Sequence, residues 1–167
     1  KELGAVISVN HPCCPVCPYK WDDNEAFDMM EIWNGPMRPS NAKAVEWWTS
    51  LLRSGRKIPA VGGSDFHKPK QLARLGNPVT AVYSESGSAE DILSAIKKGN
   101  CFVTEGKDGV KIKLSYGSCV MGQTAEYDEN TWLKIYADTE KVTIVTDKGE
   151  KELKLKNGSV KVKLRKV

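Results

Sequence analysis

Ile58-Pro59-Ala60-Val61-Gly62-Gly63-Ser64-Asp65-Phe66-His67 is the stretch from which the rest of the chain can be read. A short apolar run passes directly into paired glycines, which predicts a strand over 58–61 that ends in a tight turn. Glycine lets the backbone turn closely there. Asp65 and His67 stand two apart, so in extended backbone both point to one side and reach one ion.

Working outward toward the start of the chain, Gly4 to Asn10 is an apolar, β-branched run that reads as a buried strand ending at His11-Pro12. Met29 to Trp33 is a second strand, closed by Asn34-Gly35-Pro36. Ser40 or Asn41 is placed to cap a helix whose Ala42, Val45, Trp48, Leu51 and Leu52 recur at helical spacing before Gly55. In the other direction, Val79 to Tyr83 predicts a strand. Ser88 opens a capped helix through Lys98 with Gly99 at its end, and Cys101 to Thr104 is a further strand. Strands alternating with helices predict an α/β layer with parallel strands over residues 1–107.

From Val110 onward the period changes to two, in Lys111 to Leu114, Trp132 to Tyr136, Val142 to Thr146, Leu153 to Leu155 and Val160 to Leu164. Residues 108–167 therefore predict an antiparallel β appendage without helices. Asn157-Gly158 suits a type I′ turn, so the last two of these strands are expected to pair directly. Trp132 and Tyr136 share one strand face and are expected in the core.

The 167 residues, 40% apolar, 28% charged and 8% aromatic, match an ordinary globular chain and exclude disordered, collagen-like and coiled-coil classes. No stretch approaches the roughly 18–20 consecutive apolar residues of a membrane span, so no membrane partner is expected and the expected setting is cytoplasmic. The chain opens at Lys1 and enters an apolar run from Leu3 to Val9 almost at once, from which the parent protein is expected to begin further upstream. The net charge of +4 is uneven: residues 1–106 hold 12 Lys/Arg against 12 Asp/Glu, and residues 107–167 hold 13 against 9. In the tail the lysines alternate with apolar residues, as in Lys161-Val162-Lys163-Leu164, which reads as the solvated face of strands protected from edge pairing rather than a nucleic-acid patch.

His11 and His67, the two histidines of the chain, both fall at predicted strand C-termini, where parallel α/β folds place their chemistry. Imidazole and carboxylate suit Zn, Mn and Fe, so His11, Asp65 and His67 are candidate ligands of an incomplete metal site. The alternative for each residue singly is capping or packing. Three of the five cysteines crowd into Cys13-Cys14-Pro15-Val16-Cys17. Cys14 and Cys17 have zinc-knuckle spacing with His11 near, which makes a structural zinc site conceivable but short of a fourth ligand; a proline-rich loop of reduced thiols is the expectation.

In their order along the chain, Val9-Asn10-His11-Pro12, Glu31-Ile32-Trp33-Asn34-Gly35 and Gly63-Ser64-Asp65-Phe66-His67 resemble successive motifs of the PHP (polymerase and histidinol phosphatase) metal-dependent phosphoesterases. Gly76 to Thr80 and Asp91 to Thr104 look like it too, so the resemblance covers residues 1 to about 106. It implies the C-terminal half of a distorted seven-stranded β/α barrel with a polynuclear metal site, in which His11, Asp65 and His67 match ligand positions. Asn34 and Ser64 are near-site candidates; Glu31 either points into the barrel mouth or pairs on its strand, the second being the expectation. The family's His-x-His pair is missing, which implies a fragment that is inactive alone, completed by the missing N-terminal half of the same protein and acting on a small phosphoester. Two other readings stand beside it: a non-catalytic binding module centred on the β appendage, whose lysine-rich face would dock an acidic surface, and the structural zinc protein.

Overall fold

A computed structural model of the chain describes residues 5–20 and 27–165. It divides into two compact units, Lys1–Gly109 and Val110–Val167. No helix among the described residues is long and apolar enough to cross a membrane.

In the first unit, strands β1 (Ser8–Val9), β2 (Met29–Asn34) and β3 (Ala60–Gly63) form a parallel sheet in that order. The predicted first strand shrinks to two residues, and its Gly4 lies outside the described residues. Helix α1 (Pro39–Arg53) connects β2 to β3. Its N-cap is Arg38 with Pro39 in the first turn, not Ser40 or Asn41, and no side chain caps it. Asn41 is instead buried: its Oδ1 accepts from the Asn34 N–H at 3.2 Å and its Nδ2 donates to the carbonyls of Asn34 and Pro36 at 3.2 and 3.3 Å. Asn41, Ala44 and Leu51 are the buried residues of the helix, while Ala42, Val45 and Leu52 are exposed, so the inner face is rotated from the one expected. The rotation follows from the two tryptophans. Trp47 and Trp48 both pack on the core of Val9, Phe27, Met30, Leu51 and Ile58, and Trp48 Nε1 also reaches the Ile58 carbonyl at 2.8 Å.

Strands β4 (Val79–Val82) and β5 (Cys101–Thr104) pair antiparallel, with helix α2 (Ala89–Lys97) between them in sequence. Ser88 caps α2 as predicted, its hydroxyl accepting from the Asp91 N–H. The expected parallel crossover is not formed, because the helix sits inside a hairpin connection. The Tyr83 N–H donates to the Asn100 carbonyl at 2.9 Å, so β5 begins opposite the end of β4, Cys101 against Val82.

The second unit is β throughout. Its four-stranded sheet runs in the order β11 (Ser159–Lys163), β8 (Trp132–Ala137), β6 (Ile112–Tyr116), β7 (Cys119–Val120), and β9 (Lys141–Thr146) pairs with β10 (Gly149–Lys154) as a separate ribbon. The last two strands do not pair with each other. Asn157 and Gly158 do take the left-handed φ values of 50° and 70° that a type I′ turn needs, but the turn closes only a Lys156–Ser159 bridge, after which β11 pairs with β8. Trp132 and Tyr136 are each 45% exposed; Ile135 and Ala137 take the buried positions of β8.

The β/α barrel expectation is therefore corrected. With two helices against eleven strands among the described residues, the chain is β-rich and closes no barrel. Only β1 to β3 run parallel, and the pairing of β4 with β5 turns the chain back where a barrel requires it to continue.

Candidate metal centre

The site is assembled at the C-terminal ends of the three parallel strands. Beyond β1 the chain turns at His11, whose φ of 34° is in the left-handed region that a side chain with a Cβ rarely adopts. What holds it there is Glu31 of β2, whose Oε2 accepts the His11 backbone N–H at 2.6 Å. Both carboxylate oxygens of Glu31 also accept from Asn34 Nδ2 at 3.3 Å. Glu31 is 8% exposed. Burial pushes its pKa up, a shift only partly opposed by the hydrogen bonds from His11 and Asn34. Gly63, at the end of β3, lies close against the same carboxylate: an added Cβ would stand 3.2 Å from Glu31 Oε1, a tight contact that the carboxylate would have to yield to.

Past β3, Asp65 is the second left-handed residue, with φ 52°. Left-handed conformations of non-glycine residues are held against their preference by surrounding structure and cluster at functional sites. The turn brings Asp65 Oδ1 to 3.0 Å from His67 Nε2, and the two side chains remain 46% and 76% exposed, open to a ligand. Gln71 Nε2 braces the turn by donating to the Asp65 carbonyl at 3.1 Å. The charge of Asp65 is felt at Glu31 and at Cys17, raising both.

Of the residues singled out in the sequence, the fold thus brings Asp65 and His67 into contact and joins His11, Glu31 and Asn34 in one hydrogen-bonded group. Among the described residues no hydrogen bond links His11 to Asp65 or His67. Ser64 leads into the turn and joins none of these contacts. Sequence reasoning gave Glu31 too small a part: its signal was an acid three residues before Asn34, uninterpretable without knowing that the His11 turn would fold over it.

The cysteine loop is also drawn in. The Cys14 N–H donates to the His11 carbonyl at 2.9 Å, closing the turn. Cys14 Sγ accepts from the Cys17 N–H at 3.4 Å and lies 3.1 Å from Cys17 Sγ, which is 3.6 Å from His11 Nδ1. Hydrogen bonding from Cys17 lowers the pKa of Cys14 and raises that of Cys17. Burial raises those of Cys13 and Cys101. A cleft of about 360 Å³ opens beside this group, lined by His11, Cys14 and Glu31 together with Arg38, Ser40 and Lys43 from the start of α1.

Comparison with known proteins bears on this arrangement. Residues 39–101 match the family described as PHP-associated. This stretch is similar to that family. It takes in Asp65 and His67 and leaves out His11, and it bears out the PHP resemblance read from the motifs for this part of the chain. The chain is also similar, at 18% identity and a TM-score of 0.49, to the crystal structure of a two-domain protein containing a predicted PHP-like metal-dependent phosphoesterase from Bacteroides vulgatus ATCC 8482. That similarity covers 97% of this chain and 53% of the other, so the chain spans about half the length of that protein. No curated protein matches the chain.

Proposed function

We propose that the chain is part of a metal-dependent phosphoesterase and contributes His11, Asp65 and His67 as ligands of divalent metal ions. The observation that carries this is the exposed Asp65–His67 pair, 3.0 Å apart, within the stretch similar to the PHP-associated family. Imidazole and carboxylate are standard donors for Zn, Mn or Fe, and both side chains are accessible, so the donor set fits such an ion. A divalent ion at this place supplies Lewis-acid polarisation of a phosphate ester. The chain's own residues do the holding: Asp65 fixes the ring of His67, Glu31 fixes the His11 turn, and Asn34 fixes Glu31. Three ligands are few for a polynuclear centre, so the chain by itself is expected to be inactive and to need the upstream ligands of the longer protein, whose substrate is a small phosphoester.

The test is hydrolysis of a generic phosphomonoester by the longer protein loaded in turn with Zn, Mn or Fe. Metal-dependent turnover that Asp65→Ala abolishes supports the reading. Absence of turnover with every metal, or turnover indifferent to Asp65→Ala, refutes it. Turnover by the present chain alone would refute the claim that it is incomplete.

One observation favours a second, non-catalytic reading for the unit Val110–Val167. Trp132 and Tyr136 are exposed and alternate with Lys134, whose cross-strand partner is Lys161, while Tyr136 lies opposite Lys113. Like charges directly opposite each other on a sheet are unfavourable, and an acidic protein surface laid over them relieves the repulsion. Salt-sensitive retention on immobilised polyglutamate, lost in a Lys134→Glu/Lys161→Glu double variant, is expected; no retention at low salt rules this reading out.

A further inference from the structure

We infer that His11, Cys14 and Cys17 form a zinc site of their own, distinct from the Asp65–His67 pair. The three ligand atoms lie within 4.8 Å of one another in a loop of seven residues. Zinc bonded to sulfur at about 2.3 Å and nitrogen at about 2.0–2.1 Å in a tetrahedron separates sulfur from nitrogen by about 3.6 Å and sulfur from sulfur by about 3.8 Å. Cys17 Sγ and His11 Nδ1 already stand at 3.6 Å. The two sulfurs, at 3.1 Å, have only to part slightly.

The supporting contacts are in place as well. The Cys17 N–H donates to Cys14 Sγ, and the Cys14 N–H to the His11 carbonyl, so the backbone that would orient the ligands is in place. Thiolate donors select soft or borderline ions, which separates this site in preference from an oxygen-rich one. Three protein donors leave the fourth tetrahedral position to water or a small anion. His11 and Cys14 both line the cleft that also holds Arg38 and Lys43, which gives that fourth position an outlet toward negatively charged ligands.

The inference shares His11 with the phosphoesterase reading but does not rest on hydrolysis. An ion held through Nδ1 leaves Nε2, once its proton is lost, to meet a second ion, so one ring can serve this site and an ion shared with Asp65 and His67.

The test is titration of the freshly reduced chain with Co2+ under anaerobic conditions. A thiolate-to-cobalt charge-transfer band should saturate at equimolar metal and be bleached by Zn2+. It should vanish in Cys14→Ser and in Cys17→Ser and survive in Cys13→Ser, Cys101→Ser, Asp65→Ala and His67→Ala. In the unaltered chain, Zn2+ should protect Cys14 and Cys17 from alkylation, read by peptide mass spectrometry, which needs no variant to fold. No band, a band that outlives loss of both Cys14 and Cys17, or unprotected thiols overturns the inference. A band lost in Asp65→Ala or His67→Ala also overturns it, by merging the two sites. Failure of the phosphatase assay leaves all of these results untouched.

Discussion

Glu31 concentrates the energetics of the site in one side chain. Its carboxylate is buried and serves the His11 N–H and the Asn34 amide together. Glu31→Ala leaves both donors without an acceptor, and an unsatisfied buried polar group costs about 1–3 kcal/mol. Chemical denaturation should register a loss of that size, and Glu31→Gln, which keeps one acceptor oxygen, a smaller one; equal losses would show that volume rather than hydrogen bonding matters. Gly62 is constrained from the other side. A Cβ there would meet Val103 Cγ1 at 2.5 Å and the Trp33 carbonyl at 3.0 Å. Gly62→Ala should therefore destabilise by about 1–3 kcal/mol, as overpacking does, again measured by denaturant midpoint. The expected pairing of Asp65 with His67 assumed an extended backbone; Asp65 is left-handed instead, and it is the turn that makes the contact. The left-handed turns at His11 and Asp65 were not legible in the sequence, because histidine and aspartate, although enriched among non-glycine residues at positive φ, adopt it too seldom for the residue type to locate such a turn. The zinc-knuckle spacing was visible, yet its nearness to His11 depends on the His11 turn.

Among the elements, the two helices divide what local sequence can and cannot disclose. The start of α2 is written in adjacent residues: Ser88 accepts from the Asp91 N–H at 3.1 Å, and Ser86 donates to Asp91. Ser88→Ala should cost about 1 kcal/mol, the usual loss of an N-cap. The hydroxyls of Ser86 and then Ser88 hold the Asp91 pKa below its ordinary value of 3.8. A carboxylate depressed on folding stabilises above its ordinary pKa, and that contribution is lost as pH falls through the lower folded value. Asp91→Asn should thus weaken the helix at neutral pH and flatten its acid response below 3.8, followed by amide exchange in α2. An unchanged acid profile would remove Asp91 from the account. The start of α1 was misread for an instructive reason. Asn41 has the right chemistry for a cap, but its hydrogen bonds go to Asn34 and Pro36 in the preceding turn, a tertiary partnership that no local pattern encodes.

For the whole molecule, alternation of strands and helices was read correctly as a series and wrongly as a topology. Element type follows from local periodicity; the direction in which β5 returns depends on where the Tyr83–Asn100 bond closes. The same holds for Asn157-Gly158, where the turn forms as its residues dictate while the strand after it chooses β8, beside Ile135 and Ala137, over β10. The orientation of β8 was equally hidden. Trp132 and Tyr136 are larger and more aromatic than Ile135 and Ala137, yet a one-residue shift in parity decides which set meets the core, and the smaller residues occupy it.

The β9–β10 ribbon follows a different logic. Its strands pair only with each other, and none of their residues is fully buried. Two strands paired only with each other, and with no fully buried side chain, are marginally stable in water, and marginal segments open far more often than the molecule as a whole. Limited trypsin treatment should therefore cut first at Lys148 or Lys151, as read by mass spectrometry; a first cut within α1 or β8 would contradict this. Inside a cell, a segment that opens so readily is where degradation begins. On that expectation the survival time of the polypeptide depends on a hairpin tip more than seventy residues along the chain from His67, and changes there leave His11, Asp65 and His67 as they are.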